Sequence, residues 1–142
     1  EGDRVRPLRD ADVECLIAID ARGAGMPRAE LLRRLFAQGK TVVLERGGRV
    51  AGFAVLRRYG HGHVVGPVAA PDVDAARLLI ADFCRHTEGF LRVDVDATSG
   101  LPSWLESLGL LRTGDVSVMV LGRMPERGPA YGGWALVTQA IG

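Results

Sequence analysis

The sequence predicts an α/β (α+β) fold: a mixed, mostly antiparallel twisted sheet with one central parallel strand pair and helices on both faces. Segments with helical hydrophobic spacing alternate with segments of strand spacing along the chain. A Gly-Gly turn at 47–48 joins two strand-like runs, which is typical of an antiparallel hairpin. A strand–helix–strand unit over residues 63–95 is long enough for a parallel crossover.

Length and composition indicate one domain covering residues 1–142. Hydrophobic residues make up 47% and charged residues 25%, which is typical of a globular protein with its own core. The formal net charge is +1 without a run of like charges, so nucleic acid is not an expected partner. No apolar stretch reaches the roughly 20 residues that span a bilayer. No secretory signal is visible, so we expect a cytoplasmic protein without a membrane partner.

Two cysteines, Cys15 and Cys84, lie far apart in the sequence. Neither has the Cys or His spacing of a metal site, so we expect no metal. Each falls on or beside an apolar helical face, where a free thiol behaves as a small hydrophobic group. Both are therefore predicted to be reduced and buried.

Two helices are predicted near the amino terminus. Asp10 or Asp12 can cap the first helix, which runs to about residue 20. Residues 21–26 carry two glycines and are predicted to form a loop. Pro27 suits the first position of the second helix, and Gly39 ends it.

The first half of the chain also carries the strand signals. The strand over 49–58 is apolar on both of its faces, so we expect it to be central and covered twice. The predicted strands are 4–7, 41–45, 49–58 and 63–69.

The second half continues with alternating elements. Pro71-Asp72 opens a helix with an apolar face, and Gly109 ends a much shorter one. The predicted order is a helix to about residue 87, a strand over 90–95, a helix over 102–108, and strands over 116–121 and 134–139 joined by a Gly/Pro-rich loop at 122–133.

This succession of elements resembles the GNAT superfamily of acyl-CoA-dependent N-acyltransferases. The similarity covers essentially the whole chain. It is strongest in GPVAAP at residues 66–71, which leads into an Ala- and Leu-rich helix, and in WLESLGL at residues 104–110. More narrowly, the chain looks like the second domain of two-domain bacterial GNAT proteins.

The resemblance implies an acetyl-CoA site at the centre of the sheet. The strands over 63–69 and 90–95 would splay apart, and the pantetheine arm would insert between them. The pyrophosphate would meet the start of the next helix, where unpaired N–H groups and the helix dipole favour an anion. The residues that this comparison places at the cofactor are Val68, Ala69, Ala70, Asp74, Ala75, Ala76 and Thr98.

Two features depart from the family pattern. The phosphate-binding loop of the family is glycine-rich, whereas this chain has no glycine between Val68 and Leu78 and instead carries Asp72 and Asp74. Those carboxylates suit a helix N-terminus but repel a pyrophosphate. In addition, Leu105 stands where many family members carry a tyrosine that protonates the leaving thiolate, and leucine cannot donate a proton.

Several side chains are candidates for a general base. His63 and His61 flank Gly62 at the mouth of a central strand, and Glu45 ends the first hairpin strand. As alternatives, these are solvated turn histidines and an edge charge. Asp94 and Asp96 share one strand face, where they could bind an amine, pair with an arginine or form turn hydrogen bonds.

Two functions follow from the resemblance. The first is N-acetyl transfer from acetyl-CoA to a primary amine of a small molecule or peptide, with His63 or Glu45 relaying a proton. The alternative is a non-catalytic GNAT-like domain that serves as a scaffold or interaction module beside an active domain. A homodimer, or a preceding GNAT domain in a longer chain, is a possible partner.

Overall fold

The structure is a computed structural model that describes residues 2–124, 126–127 and 132–138. Its strands are β1 (Arg4–Pro7), β2 (Lys40–Arg46), β3 (Arg49–Tyr59), β4 (Gly62–Ala70), β5 (Leu91–Val93) and β6 (Gly132–Ala135). Its α-helices are α1 (Val13–Ala24), α2 (Ala29–Gln38), α3 (Val73–His86) and α4 (Leu101–Ser107). The strands form one sheet in the order β1-β2-β3-β4-β5, and β6 pairs with β4.

Most of the sheet is antiparallel, as predicted. β1 pairs with β2, β2 with β3, and β3 with β4, all antiparallel. The β2–β3 hairpin closes through Gly47 and Gly48, whose φ angles are 57° and 74°. Two successive positive φ angles define a turn whose twist matches that of the flanking strands, and glycine adopts them without steric strain.

The predicted parallel pair is also present. β4 and β5 run parallel, with His63 opposite Leu91 and Val65 opposite Val93. Beyond Val65, β4 changes its partner and pairs antiparallel with β6. A single bridge joins Val95 to Ala135. Residues 132–138, called the β6 segment below, therefore lie between the diverging ends of β4 and β5.

Helices cover both faces of the sheet, which confirms the predicted fold class. On one face, α3 and α4 pack Leu79, Phe83 and Leu105 against the sheet. On the other face, α1 and α2 pack Leu16 and Leu32 against it. β3 contributes buried residues to both clusters, because it is central and its side chains alternate between the faces.

The first helix is longer than the sequence predicted. Residues 21–24 continue α1 instead of forming a loop, and the helix ends at Gly25, where φ is 75°. A Cβ built at Gly23 would lie 3.3 Å from the backbone of Gly132 and Gly133. Gly23 therefore serves close packing of α1 against β6, and tertiary contact outweighs its low helix propensity.

The prediction of a strand over 116–121 is wrong. Residues 110–120 have no regular structure. Leu110 packs against the core, but the apolar side chains of residues 116–120 are exposed. Val118 is 74% exposed and Met119 is 91% exposed. Strand spacing in this segment finds no sheet partner among the described residues, and β propensity without a partner does not make a strand.

The remaining differences are smaller. β5 is three residues long, shorter than the predicted strand over 90–95. The last strand begins at Gly132, two residues before the predicted start, and position 139 lies outside the described residues. Much of the predicted loop at 122–133 also lies outside them.

Two expectations about reactive groups can be compared with the structure. Both cysteines are free, as predicted, but Cys15 is exposed, because the buried stripe of α1 runs through Leu16 and Ile19 instead. Cys84 is half-buried, and burial raises the pKa of its thiol.

Among the described residues, no cluster of three or more potential ligands could hold a metal ion. None of the described helices is long and apolar enough to cross a bilayer.

Candidate functional site

The candidate site is the place where β4 and β5 separate. Val68, Ala69 and Ala70 form the end of β4, and all three side chains are buried. Their backbone faces β6, with Val68 opposite Ala135, Ala69 opposite Gly133 and Ala70 opposite Gly132. The end of β4 that sequence comparison placed at the cofactor is thus paired with the chain's own strand.

Side-chain contacts hold the β6 segment in this position. Trp134 donates a hydrogen bond from Nε1 to the carbonyl oxygen of Ala70 at 3.0 Å. The Leu136 N–H donates to the carbonyl oxygen of Asp94 at 3.0 Å, which ties the segment to the chain beyond β5. Val137 is fully buried in the core on the α1–α2 side.

Arg57 adds a further anchor from the neighbouring strand. Its Nη2 donates to the carbonyl oxygen of Val137, and its Nε donates to that of Gly66 at 3.3 Å. The Arg57 side chain is partly buried, and this burial lowers the pKa of Arg57. Because guanidinium has donors only, two backbone carbonyl oxygens are suitable neutral partners for it.

The start of α3 is capped by the protein itself. Asp72 precedes the helix, and its Oδ1 accepts a hydrogen bond from the Ala75 N–H at 2.8 Å. The Ala76 N–H donates to the main-chain oxygen of Asp72 at 3.1 Å. The side chains of Ala75 and Ala76 are fully buried, so these two residues face the core. Asp72 therefore uses helix N-terminal donors that would otherwise be available to an anion.

A charge network surrounds this cap. Arg46 donates to Asp72 Oδ2 at 2.6 Å and also binds both carboxylate oxygens of Asp3. The Arg46 guanidinium, together with the Ala75 N–H, holds the pKa of Asp72 below its usual range. The negative charge at the helix start is thus partly neutralised. Asp74 is different, because its side chain is 80% exposed and pairs with Arg77 at 3.2 Å.

Thr98 belongs to a turn between β5 and α4. Its backbone N–H and its hydroxyl both donate to Asp96 Oδ1, at 2.7 and 2.6 Å. Thr98 also lines a shallow cavity beside Gly133 and Trp134. The Thr98 N–H and hydroxyl therefore both bind within the turn. Thr98 nevertheless lies next to β6, at the candidate site.

Glu45 lies at the hairpin end of β2 and is part of an ion-pair network. Arg6 donates from Nε to Glu45 Oε1 at 2.5 Å. The two terminal nitrogens of Arg6 bind both carboxylate oxygens of Asp12, at 2.7 and 2.9 Å. The hydrogen bond from Arg6 lowers the pKa of Glu45, so this carboxylate is a weak base.

His63 lies near the other end of β4. Its backbone N–H donates to the carbonyl oxygen of Phe90, and its buried Nδ1 has no hydrogen-bond partner among the residues that the structure describes. It is two residues from Val65, where β4 and β5 separate. His63 and Ala70 lie roughly 20 Å apart along β4, at about 3.3 Å per residue. His63 and the hairpin end carrying Glu45 are therefore not brought together.

Two of the open alternatives resolve in favour of structural roles. Asp94 binds Arg92 through both carboxylate oxygens at 3.0 Å. Asp96 accepts the turn hydrogen bonds from Thr98, and its main-chain oxygen accepts from the Ser99 hydroxyl. Leu105, at the position where the family carries a proton donor, is buried in the core.

Sequence reasoning missed three residues of this site: Arg46, Arg57 and Trp134. The roles of Arg57 and Trp134 depend on β6 lying against β4, and no local sequence signal predicts that pairing. The sequence offers one hint of these contacts. Tryptophan and arginine can both donate hydrogen bonds to backbone carbonyl groups, and the end of β4 consists of small residues whose backbone can be approached.

Comparison with known proteins assigns the family. The profile of the acetyltransferase (GNAT) domain matches residues 16–131, which is most of the chain. The chain therefore belongs to the GNAT acetyltransferase family. No curated protein sequence matches the chain closely enough to serve as a relative.

Solved structures show the same fold at low identity. A GNAT-family acetyltransferase from Bacillus cereus ATCC 10987 is 13% identical, with a TM-score of 0.70 over 84% of this chain and 89% of that one. The ribosomal-protein-S18-alanine N-acetyltransferase from Escherichia coli is 18% identical, with a TM-score of 0.60 over 75% and 76%. N-acetylglutamate synthase from Neisseria gonorrhoeae, solved with coenzyme A and N-acetyl-glutamate, is 16% identical, with a TM-score of 0.53 over 75% of this chain and 28% of that one.

Proposed function

We propose that this chain is an acyl-CoA-dependent N-acetyltransferase that moves an acetyl group from acetyl-CoA to a primary amine. One observation carries the proposal: a parallel strand pair separates after Val65 and Val93, and β4 leads directly into the N-terminus of α3. Backbone groups at the diverging strands and an anion-favouring helix end are the two features that a pantetheine arm and a pyrophosphate require.

In the arrangement described above, the residues of this site do not fit an acyl-CoA. The backbone of Val68, Ala69 and Ala70 is paired with β6, and Asp72 caps α3. The proposed activity therefore requires a form of the protein in which β6 has left the edge of β4. Arg46 partly neutralises the Asp72 carboxylate, which weakens the repulsion between that carboxylate and a pyrophosphate.

The proposed proton acceptor is His63. A primary amine is mostly protonated at neutral pH and must lose a proton before it can act as a nucleophile. His63 lies close to the point of strand separation, and its Nδ1 has no partner within the described residues. Glu45 is the weaker candidate, because Arg6 occupies it and keeps it ionised.

The acceptor is an amine of a small molecule or a peptide. Two of the three solved structures named above illustrate both kinds: one is named for the alanine of a ribosomal protein, and the other was solved with N-acetyl-glutamate. These two proteins are only 18% and 16% identical to this chain, so their acceptors are properties of those proteins. For this chain they support only the general class of acceptor.

A second candidate function is a non-catalytic GNAT domain that acts as a scaffold or interaction module. Two observations favour it: β6 covers the edge of β4, and Asp72 satisfies the start of α3. The buried Leu105 in place of a proton donor points the same way, since general acid catalysis is typically worth about 10²–10⁴-fold in rate.

Calorimetric titration with acetyl-CoA and with CoA separates the two functions. An acetyltransferase binds both, and it releases CoA thiol when primary amines of several classes are added with acetyl-CoA. Desulfo-CoA serves as a binding control that cannot react. Absence of binding at millimolar acetyl-CoA, both for this chain and for variants with a weakened β6, would contradict the proposed enzyme and support the scaffold.

A further inference from the structure

We infer that β6 and acyl-CoA are mutually exclusive occupants of one backbone edge, so that the chain's own strand gates the site. This inference rests on the proposed function and concerns the regulation of that site. When β6 is in place the site is closed, and acyl-CoA binds only to the form in which β6 has withdrawn.

The backbone pairing is the first reason. Each residue of a strand offers one N–H and one C=O toward a neighbour, and two neighbours cannot use the same groups. β6 pairs with Val68, Ala69 and Ala70 in an antiparallel register. The same stretch of β4 is the part that becomes available where β5 diverges.

The fit of β6 into the gap is the second reason. A Cβ built at Gly66 would lie 1.9 Å from the carbonyl oxygen of Leu136. Across the segment, a Cβ at Gly23 would lie 3.3 Å from the backbone of Gly132 and Gly133. Glycine thus lets β4 and α1 approach the backbone of this segment from two sides, and the slot has the width of one strand.

Hydrogen bonds and buried side chains hold β6 in the closed position. Trp134 binds the carbonyl oxygen of Ala70, Arg57 binds that of Val137, and Leu136 binds that of Asp94. Val137 supplies a fully buried side chain and Ala135 a nearly buried one. β6 is only four residues long, so its withdrawal breaks a short ladder of backbone hydrogen bonds.

The fraction of molecules in the open form determines the apparent affinity for acyl-CoA. If acyl-CoA binds only the open form, its apparent dissociation constant equals the intrinsic value divided by the open fraction. Any change that weakens β6 in the closed form, and leaves the rest of the fold unchanged, therefore tightens the binding of acetyl-CoA. A change that fixes β6 in place weakens it.

Val137→Ala and Val43→Ala form a matched pair for the first test. Both valines are fully buried in the same core cluster, but Val43 lies in β2 and is buried in both the open and the closed form. Removing two buried methyl groups from Val137 is expected to tighten acetyl-CoA binding by about tenfold. Val43→Ala is expected to lower the melting temperature without improving binding.

A reversible cross-link provides the opposite perturbation. Val68 and Ala135 face each other across the β4–β6 pair, so Val68→Cys with Ala135→Cys places two thiols in register. Cys15→Ser is included because Cys15 is exposed. We expect the oxidised protein to bind acetyl-CoA at least about tenfold more weakly than the same protein after reduction.

The outcomes distinguish the inference from the proposed function. Equal acetyl-CoA affinity of the oxidised and reduced proteins, with thiol release intact, would overturn the gate and leave the acetyltransferase standing. No binding by any form, including Val137→Ala, would overturn both. If the cross-link does not form, hydrogen exchange decides: saturating acetyl-CoA must accelerate exchange of the Leu136 amide, and unchanged exchange contradicts the gate.

Discussion

Arg46 and Asp72 join the first hairpin to the start of α3 through a hydrogen bond of 2.6 Å between Nη1 and Oδ2. The same guanidinium binds Asp3, so one cation serves two carboxylates. Asp72 therefore caps the helix, and its own charge is partly neutralised by Arg46. Of the two aspartates that open this helix, Asp74 is the one whose charge is mainly exposed to solvent.

Replacing Asp74 with asparagine is therefore expected to strengthen acetyl-CoA binding. Two unit charges about 7 Å apart in a water-like dielectric repel by about 0.6 kcal/mol, which corresponds to about threefold in affinity. Titration calorimetry at low salt measures the change. Asp115→Asn is the matched control, since Asp115 is also exposed and paired with an arginine three residues away. An unchanged affinity in Asp74→Asn would show that the pyrophosphate does not approach this turn.

The Arg6–Asp12 pair is expected to make stability depend on acid. Its hydrogen bonds lower the pKa of Asp12 in the folded state. A lowered folded-state pKa contributes stability above the ordinary carboxyl pKa, and this contribution is lost as the pH falls through the lowered value. The free energy of unfolding is therefore expected to fall below about pH 4.

Asp12→Asn tests this origin of the acid sensitivity. It leaves the buried Arg6 without its bidentate partner and is expected to destabilise the fold by about 3 kcal/mol at neutral pH. The stability of the variant should also depend less on pH below 4. Asp10→Asn, an exposed residue of the same turn, is the control. Urea unfolding of all three proteins across pH provides the measurement, and parallel curves for Asp12→Asn and the parent would refute the assignment.

His63→Gln is expected to reduce acetyl transfer without impairing acetyl-CoA binding. Loss of a general base lowers kcat by about 10²-fold, and supplying the amine in its neutral form at high pH should restore part of the rate. His61→Gln is the control, because His61 is exposed in the turn before β4. Equal kcat values for the two variants would exclude His63 as the proton acceptor.

Gly66→Ala is expected to disturb the β6 segment selectively. The added methyl group would meet the carbonyl oxygen of Leu136 at 1.9 Å, so the backbone there must shift. We expect a loss of about 2 kcal/mol in stability and faster exchange of the Leu136 amide. Gly114→Ala, where no atom lies within 4 Å of the added Cβ, should leave both quantities unchanged. Native-like exchange at Leu136 in Gly66→Ala would argue against the described contact.

Local signals were sufficient to predict most of the fold. The Gly-Gly hairpin, the cap at Asp72 and the apolar faces of α3 determine their own conformations from residues close in sequence. The parallel pairing of β4 with β5 also follows, because one crossover helix separates them. Short-range turn chemistry and hydrophobic periodicity are therefore reliable here.

The site was harder to predict because it depends on contacts between distant segments. Strand spacing over 116–121 and at the end of the chain is similar, yet only the later segment finds a partner. The choice depends on whether the segment can lie against Gly66 and Gly23, which no pattern within either segment reveals. The pairing of Arg46 with Asp72 joins β2 to the start of α3 and is equally invisible to local patterns.

β4 and β6 lie far apart in the sequence, and this distance affects the order in which they emerge during synthesis. Trp134 and its partner Ala70 are 64 residues apart in the chain. Synthesis proceeds from the amino terminus at about 5–20 residues per second, so β4 and α3 leave the ribosome seconds before β6 does. During that interval the edge of β4 is uncovered, and distant strand pairings also form slowly. A nascent chain thus presents an open strand edge to small ligands and to other unfolded chains before β6 arrives.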